Sequence, residues 1–171
     1  MDISQEIKQS FKSGSMLTKL IYINIAVFLF VNLCYLIDFL FKVEIFSNIV
    51  IWLAVPAKLS ELLFKPWSPV TYMFLHEDFW HILGNLLWLF FLGRVFLMFL
   101  QEKQLLSVYL LGGLAGAALY ILTFNIFPVF RDVLDRSIAL GASASVTAVI
   151  IAIAVYKPNF SLYFFGLFRI Q

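Results

Sequence analysis

Four apolar runs, each about as long as a bilayer's hydrocarbon core is thick, leave this chain few folds to choose from. They cover 17–37, 79–99, 105–127 and 138–156. A helix rises about 1.5 Å per residue, so roughly 20 residues cross a core of about 30 Å. In lipid every backbone polar group must find its partner inside the segment, which selects helices over open strands. Composition agrees: 63% of the 171 residues are hydrophobic and 13% charged, about half the charge of a water-soluble domain. The predicted fold is all-α, a polytopic bundle of membrane helices in one unit, with the lipid bilayer as its first partner. A net charge of +2 gives no basis for nucleic-acid binding. The single Cys34 lies in an apolar run, so there is no disulfide framework.

Residues 1–16 are polar and read as a short, flexible, water-exposed head. The run after Lys8, Lys12 and Lys19 imitates a secretory signal. It is about 20 residues long, lacks a clear small-residue cleavage site and precedes further apolar runs, so a retained first span is predicted. Asn24 and Asn32 interrupt it, and each is expected to bond a neighbouring helix or its own backbone. Residues 38–70 mix charges with Trp52, Trp67 and three prolines, the pattern of a large structured loop partly in the headgroup region. Within it, 60–64 suits a short amphipathic helix. The second span is predicted at 79–99, with Arg94 near its end and able to snorkel to water. The third, 105–127, carries Gly112, Gly113 and Gly116, which permit close helix contact. The fourth is predicted over 138–156, with Ala144, Ala148 and Ala152 as a smooth packing face. The last 13 residues, 159–171, are too short to span and exit. They read as an interfacial loop or the beginning of a further segment. Lysines in the head, Arg94, Lys103, Lys157 and Arg169 favour a cytoplasmic N-terminus, with the start of the second and fourth spans on the outer side. The expected location is the plasma (inner) membrane.

Two polar islands open two of these runs. One is the stretch 74–85, Phe-Leu-His-Glu-Asp-Phe-Trp-His-Ile-Leu-Gly-Asn, with both histidines of the chain, His76 and His81. On a helix His81 and Asn85 sit about 40° apart and share one face. Such groups are costly in an apolar segment unless something uses them. The other island is Gly141-Ala-Ser-Ala-Ser145. A zinc-protease reading of His76-Glu77 and His81 fails on spacing, because that site needs its histidines four apart on one helix. These are five apart, about 140° round a helix. No metal and no cofactor is expected. A nucleophilic reading puts Ser143 at a helix start, where free N–H groups and the helix dipole favour an anion, and uses His81 and Asn85 as oxyanion donors. From spacing alone, Ser and Gly as packing residues remain the commoner case.

The pattern His76-x4-His81-x3-Asn85, with Gly141-Ala142-Ser143 opening the fourth run, resembles the rhomboid intramembrane serine proteases over roughly residues 17–171. The resemblance implies a membrane domain of six spans, of which four are present here, following a cytoplasmic head of residues 1–16. It implies Ser143 as nucleophile, with His81, Asn85 and the Ser143 N–H as oxyanion hole. His76 and Gly141 would be supporting residues, His76 structural or water-retaining. The implied reaction is endopeptidase cleavage of transmembrane-protein substrates. The sequence departs from the family pattern at three places. Ala144 replaces a glycine, and its methyl is expected to crowd the oxyanion region. Thr147 replaces a tyrosine. The family's dyad histidine belongs to a sixth span, and no third histidine is present, so the general base is missing from the chain. Lys157 cannot replace it: 14 residues along a helix is about 21 Å. The expectation is therefore the N-terminal part of a protease, inactive by itself. The alternative is a non-catalytic rhomboid-like binder of membrane proteins. Ser145 is the next candidate nucleophile.

Overall fold

The computed structural model describes residues 3–44, 48–158, 162–164 and 168–170. Helices dominate it. In chain order they are α1 (Ile3–Ser13), α2 (Met16–Phe41), α3 (Asn48–Leu53), α4 (Leu59–Leu62), α5 (Ser68–Thr71), α6 (Phe79–Phe99), α7 (Glu102–Ile126) and α8 (Ser143–Tyr156), with 3-10 turns at Tyr72–Phe74 and Pro128–Val133. Among the described residues, α2, α6 and α7 are long and apolar enough to cross a membrane.

Each long helix starts where a side chain can take up a free N–H. Ser15 Oγ accepts from Thr18 N at 3.3 Å to open α2. Asp78 Oδ1 accepts from His81 N at 2.9 Å to open α6. Gln101 and Gln104 form a reciprocal capping box at the start of α7. Lys42 ends α2 in the left-handed conformation, φ 53°. The second span occupies the predicted 79–99, and the first and third lie within a few residues of their predicted bounds.

Three expectations need correction. The head is not irregular: α1 forms there. It folds onto α2, with Phe11 stacked on Tyr22 at 6.4 Å and Ser10 Oγ 3.1 Å from the Tyr22 hydroxyl. The fourth run is not helical from 138. Ile138–Ala139 is a strand (β2) that pairs antiparallel with Val55–Pro56 (β1), and Gly141 at φ +120° breaks any helix before Ser143. That leaves α8 at 14 residues, about 21 Å long and shorter than a spanning helix. In the tail, Leu162–Phe164 (β3) pairs antiparallel with Phe168–Ile170 (β4), a ribbon where a loop or the start of a further segment was expected.

The core lies between α2, α6, α7 and α8. Leu89, Phe96, Leu105, Tyr109 and Met73 are wholly buried in it. Asn24 and Asn32 behave as expected. Asn32 donates to the Phe28 carbonyl at 2.8 Å. Asn24, fully buried, donates to the Leu20 carbonyl at 2.8 Å and to the Tyr109 hydroxyl of α7 at 3.3 Å.

Candidate active site

The loop after α2 fixes the chain that leads into α8. Besides the β1–β2 pairing, Ala57 N donates to the Ser137 carbonyl at 2.9 Å, and Asn125 of α7 donates to the Ala57 carbonyl at 2.8 Å. Lys58 bonds Asp135 at 2.7 Å. Acting first as hydrogen-bond acceptor and then as a charge, that carboxylate holds the Lys58 ammonium above its ordinary pKa. Trp67 donates to the Trp52 carbonyl at 2.9 Å, and the two indoles stack at 5.8 Å. Beyond this clamp, Gly141 N donates to the Tyr72 carbonyl at 2.9 Å, and the Tyr72 hydroxyl donates to the Gly113 carbonyl of α7 at 2.6 Å. Gly141 is thereby tied through Tyr72 to the middle of a spanning helix.

The two polar islands meet at Gly141. A methyl group placed on its Cα would lie 2.7 Å from His81 Nε2, 2.9 Å from His81 Cε1 and 3.9 Å from Ser143 Oγ. The imidazole thus packs against the Gly141 Cα, with the Ser143 hydroxyl on the border of the same contact, and it can do so only because residue 141 has no side chain. Ser143 is the first residue of α8 and its side chain is exposed. A helix start leaves its first N–H groups without intrahelical acceptors, so N–H donors sit beside the Ser143 hydroxyl.

Asn85 lies one turn along α6 on the His81 face, buried, with its amide donating to the His81 carbonyl at 3.1 Å. One amide N–H is thus used on its own helix and the second is left over. His76 precedes α6 instead of lying on it, so helical spacing does not govern the two histidines. Their rings meet edge to face at 5.1 Å. His76 is buried, and neither ring nitrogen has a hydrogen-bond partner among the described residues. Burial above all, then like-charge repulsion from His81, lowers its pKa to about 4; the Phe74 backbone works weakly against them.

Two residues read from the sequence face elsewhere. Ser145 is fully buried, its Oγ without a partner among the described residues, and it borders the position a Gly113 Cβ would take, 2.6 Å away, beside Met73. It is remote from any open surface. The Ala144 methyl sits against Gly116 of α7. Thr147 is exposed and leaves the His81 ring without a stacking partner from α8 among the described residues. With Ser143 and Thr147, Ile151 and Val155 form an open stripe along α8, 56% and 75% exposed.

Sequence reading missed Tyr72 and Tyr109. The Tyr109 hydroxyl accepts from Asn24 and donates to the Met73 carbonyl at 3.2 Å, one residue from Tyr72. Asn24, a polar group inside an apolar run, was the available signal for this network. No sequence pattern marks its partners.

The Rhomboid domain family model matches residues 63–170. The chain belongs to the rhomboid family. No curated protein and no solved structure gives a significant match to it. The match covers both polar islands, α6, α7 and α8 of this rhomboid chain, and its spanning helices make it an integral membrane protein.

Proposed function

We propose that this rhomboid chain carries the nucleophile and oxyanion site of an intramembrane serine endopeptidase acting on transmembrane-protein substrates. The observation that carries the reading is the approach of His81 Nε2 and Ser143 Oγ to one point at Gly141, 2.7 Å and 3.9 Å from the position its Cβ would take. Ser143 Oγ attacks the scissile carbonyl carbon. The oxyanion that forms takes hydrogen bonds from the His81 ring N–H and the Ser143 backbone N–H, donors of the kind that contribute most in acyl transfer. Asn85 holds the His81 turn of α6 through one amide N–H and offers the other to the oxyanion. His76 backs the His81 ring. The hydroxyl proton passes to a base and then to the leaving amine, and water hydrolyses the acyl-enzyme. Both histidines of the chain stand on the oxyanion side, so the base is assigned to a histidine outside these 171 residues, on a helix that covers the Ser143–Thr147–Ile151–Val155 stripe.

The N-terminus is assigned to the cytoplasm of the plasma (inner) membrane. Lys12, Lys19, Arg94, Lys103 and Lys157 gather at the α2-start and α6-end face. The opposite face carries Lys42, Lys58, Lys65, Arg131 and Arg136, one fewer than the first face once Lys8 is counted there. That arrangement favours the basic end inside and opens the site to water from the outer side.

The test uses the full reading frame in proteoliposomes with a single-pass substrate and mass spectrometry of the products. Cleavage lost in Ser143→Ala and kept in Ser145→Ala supports the assignment. Cleavage by Ser143→Ala overturns it. Substrate retention without cleavage or fluorophosphonate labelling by the unaltered protein would make the chain a binder.

A further inference from the structure

A second feature lies at the opposite end from Ser143. The start of α2 and the end of α6 leave a groove of about 420 Å³ between them. Its walls include Leu17 and Ile21 of α2 with Phe90 and Leu97 of α6, and its polar edge is formed by Ser15, Thr18 and Arg94. Arg94 is exposed, and its guanidinium lies over the Phe90 ring at 4.1 Å. Among the described residues it has no carboxylate partner. The nearest acid in sequence, Glu102, instead accepts from Met16 N at 3.1 Å.

An arginine set about a turn and a half before the end of a spanning helix is at the depth of lipid headgroups and upper acyl chains. A cation at this depth snorkels to the headgroup layer, where an anionic group can meet it. The protein supplies none here, and the groove beside it is apolar. An anionic lipid provides both missing parts: a phosphate for the guanidinium's forked donors and an acyl chain for the apolar walls. The surrounding charge favours the same occupant, because Lys19 lies in the first turn of α2, which frames the groove. Basic pockets between spanning helices recognise anionic headgroups on this principle.

We infer that the α2–α6 groove is a binding site for an anionic phospholipid, with its phosphate on Arg94 and an acyl chain between Ile21 and Leu97. The site is separate from the catalytic reading and stands or falls without it.

Native mass spectrometry of the purified full chain in detergent tests it, using dioleoyl phosphatidylglycerol and dioleoyl phosphatidylcholine as probes. Phosphatidylglycerol should be retained roughly five-fold more tightly, the effect of about one cation beside an anionic headgroup. Arg94→Gln should remove that preference and Arg94→Lys should keep part of it. Ile21→Trp, which fills the groove and leaves Arg94 in place, should also remove it, so the test survives if Arg94→Gln does not fold. Lys103→Gln lies off the groove and should change nothing. Equal retention of the two lipids, an equal loss in Lys103→Gln, or displacement of the lipid by inorganic phosphate at the same concentration each overturns the inference.

Discussion

Gly141 is where the chain can least accept a change. Its φ of +120° is a conformation that side chains disfavour, at a cost of about 1–3 kcal/mol, and a methyl there would meet the His81 ring. Gly141→Ala should lower the thermal midpoint in detergent and abolish cleavage by the complete protein, both measured on one preparation. A midpoint as high as the unaltered protein's would show that the His81 ring yields easily. Ser145→Ala should go the other way. Its hydroxyl is buried and without a partner, and leaving such a group unbonded costs about 1–3 kcal/mol. Removing it should leave the midpoint unchanged or raised. His76 makes stability depend on pH. Its folded pKa, about 4, lies below the ordinary 6.5, so between these values the unfolded chain binds a proton that the folded chain does not. Stability is therefore full above pH 6.5 and falls as pH drops toward 4. The slope of thermal midpoint against pH from 7 to 5 should be shallower in His76→Gln. An unchanged slope would assign the acid sensitivity to other groups.

Among the elements, α7 does most to hold α8 in place. Ala144 and Ala148 of α8 sit against Gly116 and Gly112, so the two backbones approach at a distance only small residues allow. Gly116→Leu would drive a side chain into Ala144 and toward the Tyr72 hydroxyl, 3.1 Å from the Cβ position. It should lower both the thermal midpoint and the yield of folded protein. Tyr109 joins α2 and α7 to the 72–74 turn through two hydrogen bonds. Bonds of this kind in membrane bundles are worth about 0.6–1.7 kcal/mol. Tyr109→Phe should lose about that much in stability and reduce kcat more than KM, because the Tyr72 carbonyl that holds Gly141 sits next to its anchor. A KM effect alone would place Tyr109 outside the positioning chain.

At the scale of the whole molecule, orientation and completeness are both measurable. A cysteine at Ser13 in a Cys34→Ala background should react with an impermeant maleimide only when the cytoplasmic face is exposed. Labelling of intact cells from outside would invert the assigned topology. The 171 residues expressed alone should cleave a transmembrane substrate at little above background, because a positioned base is worth about 10²–10⁴-fold. Full-rate cleavage would make one of the two histidines present the base.

The first three spans and the bundle class were legible in the sequence, because bilayer thickness imposes a length and a polarity that each segment must meet by itself. The pairing of His81 with Asn85 was legible for a similar reason: helical spacing is local. The proposal of Ser143 rather than Ser145 as nucleophile rests on family resemblance. What separates them is that Ser143 faces out and Ser145 faces Gly113. Tertiary structure decided the rest. Val55–Pro56 pulls Ile138–Ala139 into a strand and shortens the fourth helix, although its composition suits a span. The Ala144 methyl points to Gly116 of α7. His76 meets His81 through a turn, not a helix face. In each case the deciding partner lies far along the chain, and hydropathy and spacing describe a segment only against lipid or against itself. The packing of His81 on Gly141, two residues before Ser143, depends on α7 holding α8 and on the Tyr72–Gly141 bond. Those long-range contacts have no local signature.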